Sequence, residues 1–375
     1  MALSRRHLLG VITATSTTGV AGCLGERRPV LAGDPETGCG ASVEGERLAE
    51  RIEIASGTGP PIADIDRYLA YEIETLRAES VAGGPPQDGI PSIDTPRFAP
   101  AEEAVLAPGD PVFGVARNGD IRAYPQCVLV YHEIVNDVLA GQSVAITYCP
   151  LTGTAQGFER GENEFGVSGQ LVNSNLIMYD RGSDSWWPQI VARGIDGPHA
   201  GDTLEEFRVI WTTWDRWRTS YPETTILTEN TGFIRRYGTD PYGQYNPLDG
   251  YYEGGGTMFR PLASDAQARL PEKAVVIGAR TDTGAIAFRK SALLEADVMT
   301  GEIGGLPVVA VADPDLATGY VYANPAETAV EPDGDGYAVD NSLAPPDALP
   351  LERILAFDAM WFAWHGFYPT TAYVE

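Results

Sequence analysis

The chain contains a related copy of part of itself, and this repeat constrains its fold more than any other feature of the sequence. Residues 112–158 align without a gap to 276–322, pairing Val112 with Val276, Gly114 with Gly278, Ala123 with Ala287 and Leu129 with Leu293. The same register pairs Gly141 with Gly305, Val144 with Val308, Pro150 with Pro314 and Thr154 with Thr318. Further along, Trp214, Trp217, Tyr221, Pro222 and Thr224 recur as Trp361, Trp364, Tyr368, Pro369 and Thr371, so W-x2-W-x3-Y-P-x-T is used twice. Two matches in the same order point to a duplication, and a fold for this chain must be buildable from two similar units. Each copy reads as a hairpin, a helix and a β-rich strand; in the first, VFGVARNGDIRAYP turns through Asn118-Gly119. The expectation is an α+β fold, predominantly β, with two internally duplicated units packed as a pseudo-twofold pair. They span 100–230 and 265–375 and are joined by a Gly/Tyr-rich loop at 231–264.

The segment before the repeats reads as an address and a spacer. Residues 4–10, SRRHLLG, put a twin arginine ahead of leucines, and 11–22 carry no charge. About 20 apolar residues are needed to span a bilayer, so this shorter stretch reads as a twin-arginine signal peptide. It ends in VAGC, residues 20–23, similar to a lipobox at which Cys23 becomes a lipid anchor; two acyl chains suffice for stable attachment. Residues 1–23 are thus a signal, and 24–60, rich in Gly, Pro, Ala and Glu, a flexible acidic tether. A helical arm and lead-in occupies 61–99, where Ile65, Leu69, Ile73 and Leu76 recur at helical spacing within 62–79 and predict one amphipathic helix. The expected location is the outer face of the cytoplasmic membrane, with membrane lipid as a partner through Cys23.

The chain has 52 Asp and Glu against 26 Lys and Arg, a net charge of −26, and its only lysines are Lys273 and Lys290. That argues against nucleic acid, whose phosphates need a basic surface. Self-repulsion of this size opposes compaction at low salt. At about 1 M salt the screening length falls to about 3 Å, so the composition reads as that of a salt-loving organism's protein.

The repeat supplies an internal control, because a residue demanded by the fold belongs in both copies. His132 faces Ala296 and Cys149 faces Asp313, while Asn136 and Asp137 face Thr300 and Gly301. Reactive side chains therefore concentrate in the first copy. YHEIVND, 131–137, is read as helix, with His132 and Asn136 on one face, Glu133 and Asp137 likewise, and Val128, Tyr131, Val135 and Val138 as the apolar stripe. VAITYCPLTGTA, 144–155, is read as a buried strand ending at Cys149 and turning through Gly153. A thiol at such a turn, rich in free N–H groups and hydroxyls, sits where its pKa can fall, with Thr152 as hydrogen-bond donor. Further polar candidates for binding are Asn136, Ser168, Asn173, Asp180 and Gln189; Asp180-Arg181 also reads as a structural ion pair, and Trp186 and Trp187 as core or pocket wall. In an exported protein Cys127 and Cys149 can also form a disulfide, which would remove the reactive thiol.

At these residues the sequence resembles the domain-of-unknown-function family numbered 3179. The resemblance is carried by DGIPSIDTPRF (88–98), YHEIVND, ITYCPLTGTA (146–155), FGVSGQLVNSNLIMYDR (165–181), SWWPQ (185–189) and WFAWHGFYPTT (361–371), nearly all of the chain after the tether. Many members carry a second Cys where Thr152 stands, and some are labelled selenoproteins, which implies redox chemistry for the family. Here Thr152 leaves one thiol. The favoured reading is a membrane-tethered redox or thiol-dependent enzyme with Cys149 as nucleophile, His132 as its base, Thr152 as donor to the thiolate, and a small molecule or redox protein as partner. A second is a copper-type metal protein using Cys149 and His132, with Met178 or His199 as further donors. The third is a cell-surface binding module, since no phosphate loop, zinc motif or Ser-His-Asp signature is present.

Overall fold

The structure, a computed structural model, describes residues 59–263, 269–340 and 342–375. The signal peptide, Cys23, Cys39 and the tether up to residue 58 lie outside the described residues. No helix among the described residues is long and apolar enough to cross a membrane.

The first half begins with the expected hairpin, β1 (Pro111–Arg117) and β2 (Asp120–Pro125). Asn118 and Gly119 take φ of 52° and 91°, the two left-handed positions that a tight hairpin turn needs. After the single turn of α1 (Gln126–Leu129) come β3 (Ile134–Leu139), β4 (Gln142–Cys149) and β5 (Thr154–Glu159), an antiparallel meander. An inserted hairpin follows, β6 (Phe165–Val172) and β7 (Asn175–Asp180), with β8 (Trp186–Pro188) against β7. Then β9 (Glu206–Phe207) returns to β5, β10 (Ile210–Thr213) to β1, and after α2 (Trp214–Ser220), β11 (Thr225–Leu227) runs parallel to β2. Two sheets result, β10-β1-β2-β11 and β9-β5-β4-β3, the first extended by strand Phe98–Pro100.

The second half is built in the same order. It runs β12 (Val275–Arg280), β13 (Ala285–Arg289), α3 (Lys290–Ala296), β14 (Val298–Ile303), β15 (Leu306–Asp313) and β16 (Thr318–Ala323). After a three-stranded insertion it continues with β17 (Glu352–Ile354), β18 (Ala356–Met360), α4 (Trp361–Phe367) and β19 (Ala372–Val374). Its sheets are β18-β12-β13-β19 and β17-β16-β15-β14, and β19 is again the parallel strand. The chain is thus α+β and predominantly β.

The repeated tryptophan motif has a physical explanation. In each half the second Trp of the motif lies flat on a glycine of the first strand, where a Cβ would come within 2.2 Å of the Trp217 ring (at Gly114) or 2.3 Å of the Trp364 ring (at Gly278). Each indole N–H donates to the motif threonine, Trp217 to Thr224 at 2.9 Å and Trp364 to Thr371 at 3.1 Å. The halves are joined by a buried ion pair, Arg280 of β12 donating to both oxygens of Glu206 in β9 at 2.8 and 3.0 Å. Arg208 adds bonds to the carbonyl of Ala356 and the hydroxyl of Thr318, both 2.8 Å.

Two expected helices are corrected. Residues 131–137 are not helical: α1 ends at Leu129, and Ile134–Leu139 pair with β4 as a strand. Ile134, Val135 and Val138 are β-branched, and pairing with β4 recovers the backbone hydrogen bonds a helix would have made. His132 and Asn136, like Glu133 and Asp137, therefore do not share a helix face. Within 62–79 only Ile73–Ala78 is helical. The part before it is irregular, bridging Ile62 to Leu204 and donating from Tyr68 N to Thr281 O at 2.7 Å.

Gly114→Ala and Gly278→Ala should each lower stability by about 1–3 kcal/mol, the usual cost of overpacking, as measured by denaturant unfolding. A change below about 0.5 kcal/mol in either would show that the Trp–Gly stack is not tight.

Candidate functional site

Cys149 ends β4 and is 1% exposed. Cys149 pairs with Thr154 across a short turn that closes at Gly153, φ 55°, where a Cβ would press on Met360 at 3.2 Å. The tip of the β6–β7 hairpin faces the sulfur. Asn173 and Ser174 take φ of 55° and 60°, and this turn presents Leu176 N–H to Sγ at 3.4 Å while Sγ lies 3.6 Å from the Ser174 carbonyl.

Behind the thiol lies a buried polar lattice. Asn175 Nδ2 donates to Thr152 Oγ1 at 3.2 Å and to Gln189 Oε1 at 3.0 Å, and Asn175 Oδ1 accepts from Ile190 N at 2.9 Å. Gln189 Nε2 donates to Thr147 Oγ1 at 2.8 Å and Thr154 O at 3.1 Å. Each of these side chains is fully buried, so each bond removed leaves a polar group unsatisfied. The Thr152 hydroxyl is thereby fixed beside Cys149. Met360 N donates to the Thr152 carbonyl at 2.8 Å, so β18 of the second half holds the same residue from the other side.

The neighbour that the sequence reading did not place is Glu133. It follows α1 with φ 58°, its carbonyl accepts from Tyr148 N at 2.7 Å, and its side chain is 7% exposed. Burial alone pushes its carboxyl up to about 8. The Cys149 thiol is pushed up to about 11, by burial first and then by the Glu133 charge, against the pull of the Thr152 hydroxyl and the Leu176 and Thr152 N–H groups. The expected lowering of this thiol is therefore corrected: its donors are outweighed by loss of solvent and a neighbouring carboxylate.

A strap from the segment between the halves closes the site. Tyr251 OH donates to the Leu151 carbonyl at 2.7 Å, Ser174 Oγ to the Phe259 carbonyl at 3.1 Å, and Tyr242 and Tyr251 pack on the cluster that contains Cys149. Burial raises both phenols, Glu133 and Cys149 adding to the effect on Tyr242 and Cys149 to that on Tyr251. Lys273 Nζ sits 3.5 Å from the Tyr251 ring centre and donates to the Gly254 carbonyl at 2.7 Å.

Of the expected site residues, Thr152 lies at Cys149, Gln189 reaches it through Asn175 and Thr152, and Asn173 shapes the turn that faces it. Asn173 Nδ2 also donates to the Ala363 carbonyl at 2.8 Å, tying that turn to α4. His132 is corrected as the thiol's base. Nδ1 lies 2.7 Å from the Pro91 carbonyl and Nε2 2.7 Å from Tyr237 OH, so neither nitrogen is left to take the thiol proton; burial lowers its pKa. Asn136 clips Phe165, donating to its carbonyl and accepting from its N–H, both 2.9 Å, and donates to Asp94 at 2.7 Å. Ser168 Oγ bonds the Ile177 carbonyl at 2.5 Å beside an irregularity in the β6–β7 register. Asp180 accepts from Ser183 N at 2.6 Å and from Trp187 Nε1 at 2.9 Å, whereas Arg181 pairs with Asp88, Asp94 and Glu164. The expected Asp180–Arg181 ion pair is thus replaced by two separate sets, and Trp187 is core at 0% exposure.

Cys127 and Cys149 are both free thiols. Met178 lies in the core, and His199 spends Nδ1 on Asp202 at 2.8 Å. Among the described residues no three His, Cys, Asp or Glu side chains are gathered to hold a metal ion. Glu133 was hidden because its neighbours come from distant segments, among them Tyr242, whose phenol its charge raises; the clustering of Tyr237, Tyr242, Tyr245, Tyr251 and Tyr252 in a segment read as loop was the available signal.

One family model, described as "Protein of unknown function (DUF3179)", matches residues 87–371. No curated protein and no solved structure matches the chain.

Alkylation of the folded chain against pH, read peptide by peptide, should give Cys149 a midpoint near 11. Above about pH 8 Glu133 is ionised, so Glu133→Gln should lower the Cys149 midpoint by about one unit. A midpoint in the ordinary thiol range, or one unmoved by Glu133→Gln, would contradict the described coupling.

Proposed function

The chain belongs to this family of unknown function, and on that footing we propose that it is an extracytoplasmic, membrane-tethered protein that performs one-thiol redox or nucleophilic chemistry at Cys149. The observation that carries the reading is a thiol fixed at a strand end and raised by the charge of Glu133, a carboxyl that is 7% exposed and itself raised by burial alone. A buried acid without compensation is costly and marks sites where protons move.

The chemistry divides among named groups. Cys149 Sγ attacks an electrophilic sulfur or carbon; as that bond forms, the thiol proton passes to the Glu133 carboxylate and the leaving group carries away the bonding pair. Glu133, with its pKa near the working range, can return the proton to that leaving group. Leu176 N–H and the Thr152 hydroxyl steady the developing thiolate. His132 serves as a positioning residue. Through Tyr237 it fixes the start of the strap, and Tyr237 also bonds Thr231 at 2.6 Å. Substrate access requires the strap to shift, because Cys149 is only 1% exposed.

The second half is read as a duplicated copy without the thiol. Its strand order repeats that of the first half, while Asp313 stands at the Cys149 position and Asp297 at the Glu133 position. The address signals support tethering at the cell surface: the twin arginine at 5–6, Cys23 after VAG, and a spacer of 24–60. The acid excess supports work in concentrated salt.

When the strap shifts, hydrogen peroxide can oxidise Cys149 to a sulfenic acid, which dimedone then traps. Native protein should label at Cys149, with Cys127, which burial, Glu229 and Asp110 push up to about 12, left unlabelled. Labelling of Cys149 only after unfolding would remove the redox reading.

A further inference from the structure

A second cleft, of about 220 Å³, opens at the seam between the halves, remote in sequence from Cys149 and its turn. Arg117, Arg208 and Arg353 line it, with Tyr221, Tyr320 and Asp347. In a chain with twice as many acids as bases most guanidiniums can find a carboxylate, and here three share one opening. Their compensation is incomplete. Arg117 is paired with Glu159, but Arg208 spends its Nη groups on a carbonyl and a hydroxyl, and the Arg353 hydrogen bond is to the Asp347 backbone carbonyl at 3.2 Å. Arg117 Nη1 and Arg208 Nε are buried with no hydrogen-bond partner. Arg208 and Arg353 both stack on Tyr320, at 4.5 and 6.0 Å from the ring centre, an arrangement that holds the two cations near each other despite their repulsion. The opposing charges are Asp347 on the cleft wall and Asp313, both close enough to raise the Tyr320 phenol.

We propose that this cleft binds a small oxyanion of the phosphate or sulfate type, held by Arg208 and Arg353 across Tyr320. A guanidinium suits this ligand because its fixed fork of donors matches two oxygens of one anion. The site draws Arg208 from the first half and Arg353 from the second, so it exists only when the halves are packed together. It is independent of the chemistry at Cys149.

The test is calorimetric titration of the folded chain with inorganic phosphate and, separately, sulfate, in KCl sufficient to keep the protein folded. Saturable binding is expected, weakened at least about tenfold in Arg353→Gln, whose exposed side chain can be replaced without disturbing the core. Arg208→Gln should weaken it similarly; thermal melting shows whether that variant is folded, and Arg353→Gln decides the matter if it is not. Absence of saturable binding in the natural chain, or binding unchanged in Arg353→Gln, would overturn the assignment.

Discussion

The candidate site depends on one hydrogen bond more than any other, that from Met360 N to the Thr152 carbonyl. It joins the end of β18 in the second half to the turn that follows Cys149. Met360 is buried, and leaving its N–H without an acceptor would cost about 1–3 kcal/mol, so the turn and the strand end are placed together. From the opposite side Asn175 and Gln189 fix the Thr152 hydroxyl. Thr152 is therefore held at both ends, and the thiol next to it inherits that rigidity, as a reacting group requires.

The two halves show what the fold demands and what it does not. Glu133 and Asp297 occupy the same position after a helix, both with left-handed backbone, φ 58° and 62°, and both accept a backbone bond from the long central strand, from Tyr148 N and Ala312 N. The strained backbone is thus a property of the architecture, a helix end feeding a strand. Burial beneath a tyrosine strap is particular to the first half, and there the acid has a thiol for a neighbour. The pairing of carboxyl and thiol, rather than the backbone conformation, distinguishes the first half chemically.

Much of the fold was legible because short-range rules governed it. The Asn118-Gly119 turn, the strand ending at Cys149 and the turn at Gly153 follow from local residue chemistry. The recurring Trp, Gly and Thr positions were visible as a repeat, although their stacking only appears in three dimensions. YHEIVND misled because its apolar residues satisfy helical spacing as well as a strand; pairing with Gln142–Cys149 decided the outcome, and that is a non-local term. Cys149 and Thr152 were found from the motif, whereas Glu133 became a candidate only once strap and strand enclosed it. His132 drew attention as a titratable group, but Pro91 and Tyr237, distant along the chain, consume both its nitrogens.

The chemistry proposed for Cys149 turns on Glu133 being a proton-bearing acid coupled to it. Infrared difference spectra between the natural chain and Glu133→Gln, taken across pH, read the carboxylic-acid stretch directly, and the S–H stretch of Cys149 is visible in the same spectra. The expected result is a protonated carboxyl that persists well above the ordinary range and is lost near pH 8, with the thiol band surviving to about 11. A Glu133 carboxyl already ionised near pH 4–5, about where an exposed glutamate titrates, would contradict it.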